Sequence, residues 1–209
     1  MAESMLREFA LALARVGAIK FGSFKLTSGR LSPYYLDLRV LPGDPQAFKL
    51  CIEIYGRMAG NFGLEGFDLL VGVPTAGMVF ASALAYHLGK PMAYVRREVK
   101  DWGLGRTVEG KIARGDRALL VDDLVTTGKS LLEAAEALRE VGVEVLGALV
   151  LIDREEGGRE NLSRHGLKLY SYVGVTRLFE ILRVEGLLDE AKYREVLDYV
   201  RRQSLALKS

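Results

Sequence analysis

The chain has 209 residues, nearly half of them apolar, which is enough to bury a core of one domain with a small attached subdomain. Its 29 basic and 27 acidic residues leave a net charge of +2, without the basic excess that nucleic-acid partners favour. One cysteine excludes an internal disulfide, the first residues lack a secretory signal's pattern, and no stretch approaches a membrane helix, so a cytoplasmic protein is expected.

Leu6, Phe9, Leu13 and Val16 form a helical stripe at the start. The segment GAIKFGSFKLTSGRLSPYYLDLRVLPGDP then alternates like short strands broken at Ser28-Gly29 and Ser32-Pro33. Asp44-Pro45 opens a helix whose apolar face carries Phe48, Cys51, Ile52, Tyr55, Ala59 and Phe62, with Cys51 as core filler.

From residue 68 onward strands and helices take turns. Strands are expected at 68–73, 91–97, 118–123, 143–153 and 167–175. Helices are expected at 77–87, 128–141, near 157–165, at 176–184 and at 188–203. That order predicts an α/β fold, a central parallel sheet flanked by helices. Residues 1–45 stand outside the pattern and read as an N-terminal helix and hood, with 46–209 as the core and C-terminal helices. In open α/β sheets ligands sit beyond the carboxyl ends of the strands. Three polar, glycine-containing loops follow strand ends here: VPTAG, VRREVKDWGLG and DDLVTTGKS.

The last of these ends in TTGKS, which imitates a nucleotide-binding P-loop. That motif needs glycine five residues before Gly128, and the residue there is Asp123, whose charge would face the phosphates. A nucleoside triphosphate site is therefore rejected. Asp122 and Asp123 at the end of a buried strand can instead accept hydrogen bonds from a cis-diol, or stand beside a hydrated Mg²⁺. Thr126, Thr127, Gly128, Lys129 and Ser130 then enter a helix, whose free amides and dipole make a phosphate site. Acids for sugar hydroxyls beside donors for a phosphate are the footprint of a ribose 5-phosphate.

The run V-D-D-x-x-T-T-G-x-S resembles the phosphoribosyl pyrophosphate (PRPP) motif of type I phosphoribosyltransferases. KLTSGRLSPYYLDLR (25–39) and YVRREVKDWGLGRTVEG (94–110) are similar to the hood and lid loop of orotate phosphoribosyltransferases. LIDREEGG (151–158) is similar to their pyrimidine-contact strand end. The resemblance runs from about residue 20 to 175. It implies transfer of the 5-phosphoribosyl group of PRPP to orotate, with Mg²⁺, in a homodimer with shared active sites and no nucleic-acid or membrane partner.

It also implies roles for single residues. PRPP would be held by Thr75 and Ala76, by Arg96, Arg97 and Lys100, and by Asp122 through Ser130, Leu124 and Val125 included. Lys100, Asp122 and Asp123 would be catalytic. Orotate would meet Thr126, Arg154, Tyr34, Tyr35 and Lys25. Some family members carry lysine at the position of Ala76, so backbone donors must suffice there. Trp102 stands where the family commonly has histidine, and indole cannot titrate. Thr27 replaces a hood lysine, with Lys25 on the same strand face. His87 and His165 are expected to be structural. Rival readings are a phosphoribosyltransferase for another base and a PRPP-sensing regulator without turnover.

Overall fold

A computed structural model describes residues 2–25, 31–96 and 107–206. Its helices are α1 (Ala2–Arg15), α2 (Pro45–Gly60), α3 (Ala76–Leu88), α4 (Lys129–Glu140), α5 (Gly158–Arg164), α6 (Val175–Val184) and α7 (Glu190–Ala206). Its strands are β1 (Ile19–Lys25), β2 (Leu31–Leu36), β3 (Leu69–Gly72), β4 (Met92–Val95), β5 (Val108–Glu109), β6 (Arg117–Val125), β7 (Glu144–Asp153) and β8 (Leu169–Gly174).

The main sheet has six strands in the order β5-β4-β3-β6-β7-β8. β4, β3, β6, β7 and β8 run parallel, as the near-continuous apolar runs predict. β5 adds an antiparallel edge through Tyr94–Glu109 and Val95–Val108. Two residues carry no periodicity, so this edge could not be read from the polar stretch that contains it.

Alternation along the buried strands divides the core between two faces. Leu70, Leu119, Val121, Leu149 and Leu151 face α1, α2, α3, α6 and α7. Leu69, Val71, Leu120, Ala148 and Val150 face α4 and α5. Cys51 is buried on the first face, where desolvation pushes its thiol up to about 12, consistent with packing rather than reactivity.

β1 and β2 form a separate antiparallel hairpin. Phe9 and Leu13 of α1, and Tyr34 and Leu36 of β2, share one buried cluster with α2 and α6. α2 starts where the sequence signals it. Asp44 accepts from the Gln46 and Ala47 amides at 3.1 and 2.9 Å, and Pro45 opens the first turn. Among the described residues, no helix is long and apolar enough to cross a membrane.

Candidate active site

Strand register gathers the chemistry at one edge. Gly72 of β3 lies beside Val121 of β6, and the Val73 amide donates to the Val121 carbonyl at 3.0 Å. Asp122 pairs with Val150 of β7, and Val125 with Asp153. The Arg154 amide then donates to the Val125 carbonyl at 3.0 Å. The VPTAG loop, the paired aspartates and the DREEGG turn are thus neighbours because their strands are parallel and in register.

Asp122 is almost wholly buried. Its Oδ1 accepts from the Asp123 amide at 3.0 Å, and the Gly77 amide also donates to its carboxylate. Burial first, then the adjacent Asp123 charge, hold Asp122 well above the ordinary carboxylate range. The buried phenol of Tyr55 donates to the Asp122 carbonyl at 2.5 Å and fixes the strand end from below. Asp123 is partly exposed, and its Oδ1 accepts from the Leu124 amide at 2.8 Å. Burial raises Asp123 too, and the Arg39 charge opposes that shift. One acid is therefore a buried support and the other faces the rim.

Gly128 caps α4 in a left-handed conformation at φ 81, and among the described residues that helix start has no side-chain cap bond. Thr127, Lys129 and Ser130 are exposed around it, and Thr126 is half-buried. Lys129 reaches along α4 to Glu133 at 3.7 Å, which draws its ammonium away from the turn. The Thr127 carbonyl accepts from Asn161 Nδ2 at 2.8 Å, which ties this loop to α5. Val125 is buried and Leu124 packs on the core. Thr75 is exposed at the start of α3 without a side-chain cap bond, and the Pro74–Thr75 peptide is cis. Arg96 is held by Glu109 at 3.0 Å. Arg97, Lys100 and Trp102 lie outside the described residues, as does Thr27.

The hood residues divide. Lys25 is exposed at the end of β1. Tyr35 is half-buried, with its ring centroid 5.7 Å from that of Phe24 and its hydroxyl accepting from Arg39 Nη2 at 3.0 Å. Arg39 is anchored in turn by Asp37 Oδ1 at 2.6 Å. Tyr34 and Tyr35 part ways, because successive strand residues face opposite sides. Tyr34 is 0% exposed and packs on Phe179 and Tyr199 at centroid distances of 5.0 and 6.0 Å.

Arg154 is only 4% exposed. Its guanidinium lies 4.7 Å over the Tyr34 ring and forms a 2.8 Å ion pair with Glu156, so only a small part of it meets solvent. A cleft of about 600 Å³ beside this turn is lined by Thr127, Asp153, Glu155, Glu156, Arg159 and Asn161, among others. It reaches the phosphate loop but not the two aspartates. His87 and His165 sit near the distal ends of α3 and α5. Gly77, Tyr55, Arg39 and Glu156 were missed by sequence reasoning. Only the acid two places after Arg154 carried a local signal.

Among the described residues, no group of three or more histidine, cysteine, aspartate or glutamate side chains is arranged to hold a metal ion. Two adjacent carboxylates, one at the rim, do suit a hydrated Mg²⁺ carried mainly by phosphate oxygens.

A model of the phosphoribosyl transferase domain matches residues 44–165. The orotate phosphoribosyltransferase of Pyrobaculum aerophilum is 47% identical over 189 residues, covering 90% of this chain and 95% of the relative. The crystal structure of orotate phosphoribosyltransferase from Aeropyrum pernix is 38% identical with a TM-score of 0.72, covering 85% of this chain and 99% of that one. The Leishmania donovani UMP synthase structure is 33% identical with a TM-score of 0.86, covering 94% of this chain and 42% of that longer one. With a family domain over most of its length and close relatives over nearly all of it, this chain belongs to the phosphoribosyl transferase family, among the orotate phosphoribosyltransferases.

Proposed function

We propose that this protein is an orotate phosphoribosyltransferase, transferring the 5-phosphoribosyl group of PRPP to orotate to give orotidine 5′-monophosphate and pyrophosphate in pyrimidine biosynthesis. The observation that carries this reading is the continuity of β6 with α4. A strand carries two aspartates near its end and passes, through one left-handed glycine, into a helix with no side-chain cap among the described residues. The Pyrobaculum aerophilum relative, 47% identical, is an orotate phosphoribosyltransferase.

In this reading Asp123 accepts from the ribose hydroxyls while buried Asp122 fixes its backbone. The α4 amides, with the Thr126, Thr127 and Ser130 hydroxyls, hold the 5-phosphate. The Thr75 and Ala76 amides take the pyrophosphate, and Arg96, Arg97 and Lys100 of the lid neutralise it. Arg96 exchanges its Glu109 partner to do so. Lid closure excludes water that would hydrolyse PRPP. Arg154, Tyr35, Thr126 and Lys25 orient the base. Tyr34 acts only through Arg154.

Asp123 at the rim, with Asp122 beside it, would hold a hydrated Mg²⁺, which would supply charge neutralisation to the leaving group. The base nitrogen attacks the anomeric carbon as the bond to pyrophosphate breaks, with inversion. Orotate is already an anion, so no strong general base is needed, and Trp102 is tolerated where relatives carry histidine. Orientation and charge neutralisation provide the rate. The active form is a cytoplasmic homodimer in which each lid serves its neighbour's site.

The test is loss of orotate absorbance on mixing the protein with PRPP, Mg²⁺ and orotate, with adenine, hypoxanthine and uracil in parallel. Mg²⁺-dependent consumption of orotate alone is expected. Turnover of another base instead would retain the PRPP site and overturn the reading of the hood and Arg154. PRPP binding without turnover of any base would make the protein a sensor.

A further inference from the structure

We propose that Glu156 is the positioning residue for Arg154, holding its guanidinium in a fixed orientation toward the base. The inference rests on the orotate reading above and deepens it.

Glu156 is 0% exposed. Its Oε1 accepts from Arg154 Nε at 2.9 Å and lies 2.8 Å from Nη2. The Tyr34 hydroxyl donates to the same oxygen at 3.4 Å, while the Tyr34 ring lies beneath the guanidinium. The arginine is thus gripped on its edge by a carboxylate and on its face by an aromatic ring.

The backbone that carries both residues is pinned as well. Glu155, between them, has φ 57, a conformation rare outside glycine. Asp153 Oδ1 accepts from the Glu155 amide at 2.8 Å. The Glu155 carboxylate accepts from the Thr176 amide at 3.0 Å, and its carbonyl accepts from Ser204 Oγ of α7 at 2.7 Å. This turn sends Arg154 and Glu156 to the same side, where they meet.

A buried ion pair is a poor stabiliser, because apolar residues of the same volume often serve a fold as well or better. The pair therefore calls for a reason beyond the fold. A free arginine loses rotamer entropy when it is ordered. Here that ordering is complete before a base arrives, so recognition does not bear it again. Arg154 thereby offers directed donors to the planar base.

The experiment compares Glu156→Ala, Glu156→Asp and Glu156→Gln in steady-state kinetics with each substrate varied, alongside thermal melts. Glutamine keeps an acceptor at the right reach, alanine removes it, and aspartate withdraws it by one methylene. The alanine and aspartate variants should raise KM for orotate about 10-fold while KM for PRPP stays within about 2-fold, and glutamine should restore orotate KM to within about 3-fold. A lower melting temperature with unchanged orotate KM would overturn the proposal. So would an equal rise in both KM values. Should the alanine variant not fold, the aspartate variant decides by the same two ratios. Failure of the base reading itself is distinct, because the wild-type protein would then not consume orotate.

Discussion

Gly77 and Asp122 touch through backbone. A methyl group built on Gly77 would lie 2.3 Å from the Val121 carbonyl oxygen, 2.9 Å from Asp122 Cα and 3.0 Å from its Oδ1. The first two are backbone atoms of a central strand and cannot yield. The first turn of α3 can therefore approach the aspartates, and its amide can serve Asp122, only because residue 77 is glycine. Gly77→Ala should cost about 1–3 kcal/mol of stability. Its larger effect should be on turnover, because separating α3 from β6 moves the pyrophosphate loop and the ribose acids apart. Melting curves and kcat on the same preparation check this. Stability loss with kcat intact would detach the loop from catalysis.

Asp123→Asn should lower kcat by about 100-fold, the order seen when one preorganised electrostatic group is removed from an active site. The amide oxygen can still accept from the Leu124 amide, so the fold should hold. Circular dichroism and steady-state kinetics together test this. Near-normal turnover would refute the ribose role.

Most of the sheet was legible in the sequence, because a parallel strand buried on both faces is an apolar run, and β3, β6 and β7 read that way. The phosphate loop was legible because acids, hydroxyls and glycine fall within nine consecutive residues. The base side was less so. Arg154 was visible as a cation at a strand end, but its partner Tyr34 lies 120 residues earlier, and no local pattern links them. Adjacent tyrosines look alike in sequence, and only the strand's period of two sends Tyr34 inward and Tyr35 toward Arg39. Tyr55 and Gly77 were hidden for another reason. One reads as helix packing and the other as the start of a helix, and their contacts with Asp122 exist only in the folded chain.

The two tyrosines should separate in experiment. Tyr34→Ala removes a fully buried ring from beneath Arg154 and should cost about 3–5 kcal/mol, as for other large aromatic truncations. Tyr35→Ala removes a half-buried ring at the hood edge. It should leave the melting temperature nearly unchanged and raise KM for orotate, with KM for PRPP unaffected. Denaturant melts and substrate-varied kinetics distinguish the two patterns. A large stability loss at position 35 would move that ring into the core.

Acid should weaken one identifiable contact far from the site. Arg117 grips Asp68 with Nε and Nη2, each at 3.0 Å, and its amide donates to the same carboxylate at 2.8 Å. The side-chain bonds first, then the amide, hold Asp68 down to about 2 from its ordinary 3.8. The folded state therefore gives up this proton more readily than the unfolded chain. The contribution is fully present above about pH 4 and is lost as pH falls toward about 2. Both side chains are part-exposed, so added salt should diminish it. Asp68→Asn should be less stable than the wild-type protein at pH 5, and the gap should narrow steadily on acidification. Urea melts at several pH values, with and without added salt, measure it. A gap that stays constant from pH 5 downward would mean that the contact works through neutral hydrogen-bond geometry and not through the carboxylate charge.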